Sequence, residues 1–435
     1  MVDRRDLLKW SALAAATAPL LPRPAQAQLS APGLSLAEWA GVRQQFRLSE
    51  DYIHMSAMLL ASHPAPVREA IERHREGLDT DTVAYIVEND EKLQTAARTA
   101  AGDYLGIHHS HIALTDSTTM GVGIVYGGLL LAPGDEIVTT DQDYYVTHEA
   151  TRLAAERAGG DVRSIRLFED LSSVSANQLA ETVIAGVGPA TRVLALTWVH
   201  SSTGLKLPIA AIAARLADIN AEREEGREVL LCVDGVHGFG VEDVSFTDLG
   251  CDFLMAGCHK WLFGPRGTGI VAASRRGLDS IRAVIPSFLS GRAFNAWIEG
   301  REPEGPIDAE TITPGGFKAF EHLWSMPEAF AFQAEIGKAR VAERTHALAS
   351  QLKEGLAGAP GVLLRTPRDP GLSAGIVSFD IDGVNPHAVV RSLRQRGLVA
   401  SVAPYATQHV RLTPSIRNSE EEVDAAVAAV RAVAG

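Results

Sequence analysis

The sequence predicts an α/β protein, with a mostly parallel seven-stranded sheet covered by helices and a smaller C-terminal α+β domain. Three observations carry this. Short apolar runs alternate with helical runs between His111 and Ala273, the pattern of strands returned by crossover helices. Turn signals, Pro133-Gly134-Asp135 and Gly186-Val187-Gly188-Pro189, fall at the expected junctions. Finally, 435 residues that are 46% hydrophobic and 21% charged hold ample material for a large core, and the length suits two or three domains.

Taken in order, the chain opens with an address. Arg4 and Arg5 precede the apolar run Trp10 to Leu21, and Ala25-Gln26-Ala27 forms a cleavage-type ending. The run is 12 residues, short of the roughly 20 that a membrane span needs. Arg4-Arg5-Asp6-Leu7-Leu8-Lys9 resembles a twin-arginine signal, which implies export of a folded protein by the twin-arginine machinery, a periplasmic location and no membrane span in the mature chain. Residues 1–27 are therefore read as signal. Their removal takes four cations and two anions and moves the formal charge from −13 to −15. Such an acidic balance argues against nucleic acid or anionic lipid as partners.

Residues 28–60 read as an extended arm and 61–300 as a large domain. Helical stretches are expected at 67–77, 91–104, 121–131, 148–158, 175–185 and 209–225. Strands are expected at 111–114, 136–140, 163–167, 192–199, 228–233, 252–256 and 269–273. Pro286, Pro303, Pro306 and Pro314 mark a change of composition, and 301–325 reads as a linker with a contact loop. The rest, 326–435, reads as the small domain: one long helix at 326–358, strands at 362–364, 375–380, 399–402 and 409–412, and helices at 386–396 and 419–433. Glu420, Glu421 and Glu422 suit the positive N-terminal end of the last helix.

Three segments carry chemistry. His259-Lys260 follows an apolar strand and precedes the turn Gly264-Pro265-Arg266-Gly267. A lysine desolvated there can form a Schiff base, although a lone lysine at a strand end is more often a surface residue. Asp234 ends a second apolar strand and is followed by Gly235, Val236 and His237; carboxyl ends of parallel strands are where open α/β sheets bind ligands. A helix cap is the ordinary alternative for such an Asp. Ser117-Thr118-Thr119 opens a helix, where hydroxyls and free N–H groups can cup a phosphate or simply cap the helix. Cys232, Cys251 and Cys258 are too few and too clustered for a disulfide scaffold and read as small buried hydrophobes. His108, His109 and His111 lack the acidic or Cys neighbours of a metal site, and the glycines after Gly264 do not form a dinucleotide fingerprint.

Together and in this order, the three segments resemble the fold-type I pyridoxal-phosphate (PLP) enzymes of the aminotransferase class V group, and within it the isopenicillin N epimerase-like branch. The resemblance implies PLP as cofactor and assigns roles by position. Lys260 is the Schiff-base lysine and proton shuttle, Asp234 the partner of the pyridinium nitrogen, and His237 a neighbour of the ring oxygen O3′. Thr118, Thr119 and His259 are phosphate contacts; Ser201 is a polar residue near O3′; Tyr144, rather than Tyr145, stacks on the ring. Arg411 clamps a substrate carboxylate, for which a planar guanidinium fork is suited, although alone it could be a surface strand residue. The family often has Ser where this chain has Gly257. Thr313-Pro314-Gly315-Gly316 resembles the loop that reaches a neighbouring subunit, which implies a homodimer. Cysteine desulfurases of the group carry a nucleophilic Cys before the terminal Arg strand, whereas residues 397–411 contain none, which disfavours that chemistry.

The expected function is transamination of an amino acid or peptide-derived amine, with epimerisation and C–S or β-elimination as alternatives and a non-catalytic PLP-binding protein as the opposing reading. Export suggests tailoring of an exported metabolite, in the manner of the periplasmic PLP enzymes that modify pyoverdine siderophores, which this arrangement resembles.

Overall fold

The computed structural model describes residues 35–287 and 290–435; the signal segment lies outside the described residues. Seven strands form the large sheet: β1 (Ile112–Thr115), β2 (Glu136–Thr140), β3 (Asp161–Ile165), β4 (Thr191–Thr197), β5 (Leu230–Asp234), β6 (Phe253–Gly257) and β7 (Gly269–Ala273). Their order is β1-β7-β6-β5-β4-β2-β3. The pairs among β6, β5, β4, β2 and β3 are parallel, and β7 runs antiparallel to both β6 and β1.

The strand sequences explain the layers. Successive side chains on β4 point to opposite faces, with Leu194 and Leu196 in the core on one side and Val193 and Ala195 in that on the other. Strands β5 and β6 divide in the same way: Leu231, Val233 and Leu254 face one side, Leu230, Cys232 and Phe253 the other. A strand with both faces covered needs apolar residues at every position, which is why these runs do not alternate.

The small domain contains a four-stranded antiparallel sheet of β8 (Val362–Leu364), β9 (Val377–Ile381), β10 (Ser401–Val402) and β11 (Val410–Leu412), in the order β10-β11-β9-β8. Helices Lys338–Ala357 and Glu420–Ala434 pack together beside it, and their buried Leu348, Leu352, Val423 and Val430 join Val377 and Phe379 in one core.

Three expectations are corrected. The segment read as an extended arm contains the helix Trp39–Gln44, and Ile53–His54 then pairs in parallel with Leu398–Val399 of the small domain. The long helix expected at 326–358 is two, Met326–Ile336 and Lys338–Ala357, separated by Gly337 at φ 95°. The strand expected at 399–402 is divided between two sheets, because Leu398–Val399 pairs with the arm while Ser401–Val402 pairs with β11. No described helix is long and apolar enough to cross a membrane.

Candidate active site

Parallel strands β4 and β5 end together, with Thr197 in register with Asp234. The cleft beyond those ends is lined from both domains, with Lys260 and Asp234 from the large one and Arg411 from the small one. Asp234 is 5% exposed, and its carboxylate accepts from the Val236 N–H at 3.1 Å. Burial raises it to about 6, with the Val236 hydrogen bond and the charge of Lys260 opposing the rise.

Lys260 lies on the turn that leaves β6. Burial lowers its amine to about 8, against the pull of Asp234 and with the help of Arg411. The turn is braced and strained. Phe263 N–H bonds the Lys260 carbonyl at 3.1 Å, and Gly264 N–H bonds that of Cys258 at 2.8 Å. Phe263 sits at φ 59°, a left-handed conformation that costs a bulky residue on the order of 1–3 kcal/mol. Its ring, 1% exposed and edge-on to Phe46 at 5.1 Å, holds it there. From the helix Met326–Ile336, Gln333 Nε2 donates to the Trp261 carbonyl at 3.0 Å.

His237 is buried, and its Nδ1 accepts from Trp261 Nε1 at 3.1 Å. Because an indole N–H can only donate, the proton of the neutral imidazole is on Nε2. Burial, Lys260 and Arg411 all hold His237 well below its ordinary range, so it stays neutral.

Ser117 caps the helix Thr118–Gly128 by accepting from Met120 N–H at 3.1 Å. The N–H groups of Thr118 and Thr119 have no acceptor within the helix. Thr118 Oγ1 is buried with no hydrogen-bond partner. His259 Nδ1 lies 3.4 Å from the Thr268 carbonyl, and burial lowers its pKa. A Cβ added at Gly257 would lie 2.8 Å from His259 Cε1 and 3.1 Å from Thr118 Oγ1. Glycine at 257 therefore leaves the room that these two side chains occupy, where the family's Ser would crowd them.

Tyr144 lines the cleft, whereas Tyr145 is 68% exposed. Arg411 is 1% exposed; it donates to Ser201 O at 2.8 Å, Val402 O at 2.9 Å and Ser401 Oγ at 3.3 Å, and no carboxylate pairs with it among the described residues. Burial lowers its guanidinium to about 10, so it is still charged. The three cysteines are buried, and burial pushes their thiols up, that of Cys258 to about 12. His108, His109 and His111 surround a short 3₁₀ turn away from the cleft, and no metal-holding group of His, Cys, Asp or Glu occurs among the described residues.

Two residues, Asp143 buried behind the cleft and Tyr405 lining it, are not singled out by the sequence. Asp143 accepts from Thr139 Oγ1 at 2.8 Å, Thr140 N–H at 2.7 Å and Thr197 N–H at 2.7 Å, which pins the loop carrying Tyr144 to the end of β4. Its place directly before Tyr144 was the available signal. Tyr405 lines the cleft from the small domain, and nothing in its local sequence marks it.

The lysine poised near neutrality, the carboxylate at the strand end and the unsatisfied donors at a helix start fit the amine, ring and phosphate chemistry of a PLP enzyme of fold type I. A model of the aminotransferase class V family matches residues 74–425, and the chain belongs to that family. PLP is its cofactor, and the chain is an enzyme of this family. It is 27% identical over 412 residues to the isopenicillin N epimerase of Streptomyces clavuligerus, covering 92% of this chain and 100% of that protein. To the isopenicillin N epimerase of Amycolatopsis lactamdurans it is 30% identical over 355 residues, covering 78% and 84%. Among solved structures, the fold matches the cystine C–S lyase C-DES bound to cysteine persulfide with a TM-score of 0.77 at 23% identity, covering 88% and 98% of the two chains. It also matches a cysteine desulfurase from Thermococcus onnurineus NA1 with a TM-score of 0.77 at 19% identity, covering 90% and 97%.

Proposed function

We propose that this enzyme transforms an amine bearing a free carboxylate, an amino acid or a peptide-derived amine, by transamination. The observation that carries the substrate class is Arg411: a charged guanidinium buried in the cleft without a carboxylate partner is costly unless a ligand supplies one. When bound, PLP supplies an electron sink for the charge left at the substrate Cα.

The chain's own groups divide the remaining work. Lys260, with an amine near neutrality, holds the cofactor covalently and afterwards moves the Cα proton. Asp234 keeps the ring nitrogen protonated. His237 would offer its Nε2–H to the ring oxygen, with Ser201 as a polar neighbour. Thr118, Thr119 and His259 would hold the phosphate at the helix N-terminus, and Tyr144 would lie against the ring.

The fate of the charge left at Cα decides the product. Protonation of Cα from the face opposite Lys260, by a second donor, would give epimerisation, protonation away from Cα would give transamination, and departure of a β substituent would give elimination. Epimerisation is the second reading, and the names of the two epimerase relatives favour it. Against a non-catalytic PLP-binding role stands Asp234, since a carboxylate kept at the ring nitrogen serves the electron sink rather than binding alone. The signal at Arg4-Arg5 supports export by the twin-arginine machinery and work in the periplasm on an exported metabolite such as a siderophore. The loop Thr313 to Gly316 supports a homodimer.

The test is a panel of amino acids and peptidyl precursors given to the PLP-loaded enzyme in deuterated water, with products resolved by mass and chirality. Transamination predicts a keto product from the donor. Recovery of the inverted amine with one deuterium at Cα would replace it with epimerisation, and an untouched panel would end both.

A further inference from the structure

The loop 403–409 joins β10 to β11, the strand that carries Arg411. Tyr405 of this loop lies 2.8 Å from Ser201 by its hydroxyl and meets Tyr144 edge to face at 5.7 Å and 62°. Ser201 also accepts from Arg411 Nη1 through its backbone carbonyl, at 2.8 Å. One residue therefore holds the phenol with its side chain and the guanidinium with its main chain. This brings both polar heads into one part of the cleft, beside Lys260.

Counting donors shows what is unused. A guanidinium has five N–H groups, and three of those on Arg411 bond to Ser401, Ser201 and Val402. The others have no acceptor among the described residues. The Tyr405 and Ser201 hydroxyls have a proton each, and only one lies between the two oxygens, so whichever donates, one O–H is left over. Burial keeps the phenol protonated well above its ordinary range, and the charge of Asp234 adds to this against the Ser201 hydrogen bond. A fixed cation with spare donors beside a neutral hydroxyl donor matches a carboxylate, which only accepts.

We propose that Tyr405 is a specificity-determining residue: its hydroxyl, paired with that of Ser201, joins Arg411 in donating to the substrate carboxylate and selects free acids over their amides. This rests on the carboxylate-bearing amine reading above. A carboxamide turns an NH₂ donor toward these donors and brings no charge, so it loses what the site offers. Residues 397–411 hold no cysteine, and Tyr405 occupies this loop with a group that grips rather than attacks.

The test is a spectral titration of the PLP-loaded enzyme with α-amino acids, each beside its own α-carboxamide. Tyr405→Phe keeps the ring on Tyr144 and removes the hydroxyl. It is expected to weaken binding of the acids about tenfold, the scale of one hydrogen bond to a charged group, and to leave the amides unchanged. Ser201→Ala, which removes the partner hydroxyl, is expected to narrow the acid-over-amide preference in the same direction and stands in should Tyr405→Phe lose its cofactor. An unchanged preference in these variants overturns the role of Tyr405 alone. If the unsubstituted enzyme responds to amides as well as to acids, or to no acid, the carboxylate reading fails as well.

Discussion

Lys260 and Asp234 are each displaced toward neutrality by the same cause, burial, and each partly restrains the other. With its amine near 8, about one Lys260 in ten is uncharged at pH 7, against about one in three thousand for an ordinary lysine at 10.5. Incorporation of PLP into the apoenzyme should therefore quicken about tenfold per pH unit below 8 and level off above it; an inflection near 10.5 in stopped-flow absorbance would contradict this. Lys260 and Asp234 were legible because an apolar strand ending in Asp and another leading into His-Lys are local patterns. Tyr405 was not, since its meaning lies in a contact with Ser201, 204 residues away. The bond that Asp143 accepts from Thr197 on β4 is hidden in the same way, although its position beside Tyr144 was visible.

At the scale of elements, six of the large-sheet strands were legible because both their faces are buried, whereas the edge strand Asp161–Ile165 is largely exposed; the observed starts of all seven fall within two residues of those expected. The short strands of the small domain were harder, because pairing decides them: the run 399–402 reads as one strand until the arm takes Leu398–Val399 and β11 takes Ser401–Val402. Glycine also serves the site through its surroundings. Gly204, at φ 75°, turns the segment after Ser201, and an added Cβ would meet the Ile376 carbonyl oxygen, while Thr366 Oγ1 donates to the neighbouring Thr203 carbonyl at 2.6 Å. Gly204→Ala should thus cost about 2–4 kcal/mol, part from the left-handed backbone and part from overpacking, read as a lower midpoint in denaturant titration. An unchanged midpoint would mean that this turn shifts freely.

Across the whole molecule, the cleft exists only while the two domains stay together, since Arg411 and Tyr405 come from one and Lys260 and Asp234 from the other. A half-buried polar cluster helps to hold them: Glu242 accepts from Lys206 Nζ at 2.8 Å and from His346 Nε2 of the helix Lys338–Ala357 at 2.8 Å. Burial alone would raise the Glu242 carboxyl, but the hydrogen bond from His346 and the charge of Lys206 outweigh it and hold the group below its ordinary 4.5. The stabilisation is present above pH 4.5 and is lost as pH falls through the lower folded value. Glu242→Gln should cost about 1–3 kcal/mol at neutral pH and flatten the acid limb of the stability curve; equal losses at pH 7 and pH 3 would remove the cluster from the account.

Lys260 is the residue proposed to carry PLP. Burial also lowers Lys353 to about 8, but its amine is bonded to Ser373 Oγ and to the Pro367 and Arg368 carbonyls, away from the cleft, so position and not basicity separates the two. Borohydride reduction of the purified holoenzyme, followed by proteolysis and mass mapping, reads this directly. With PLP on Lys260, the visible band is lost and a phosphopyridoxyl group appears on the Lys260 peptide. A label on Lys353 or any other lysine, or a visible band with no labelled lysine, would contradict it.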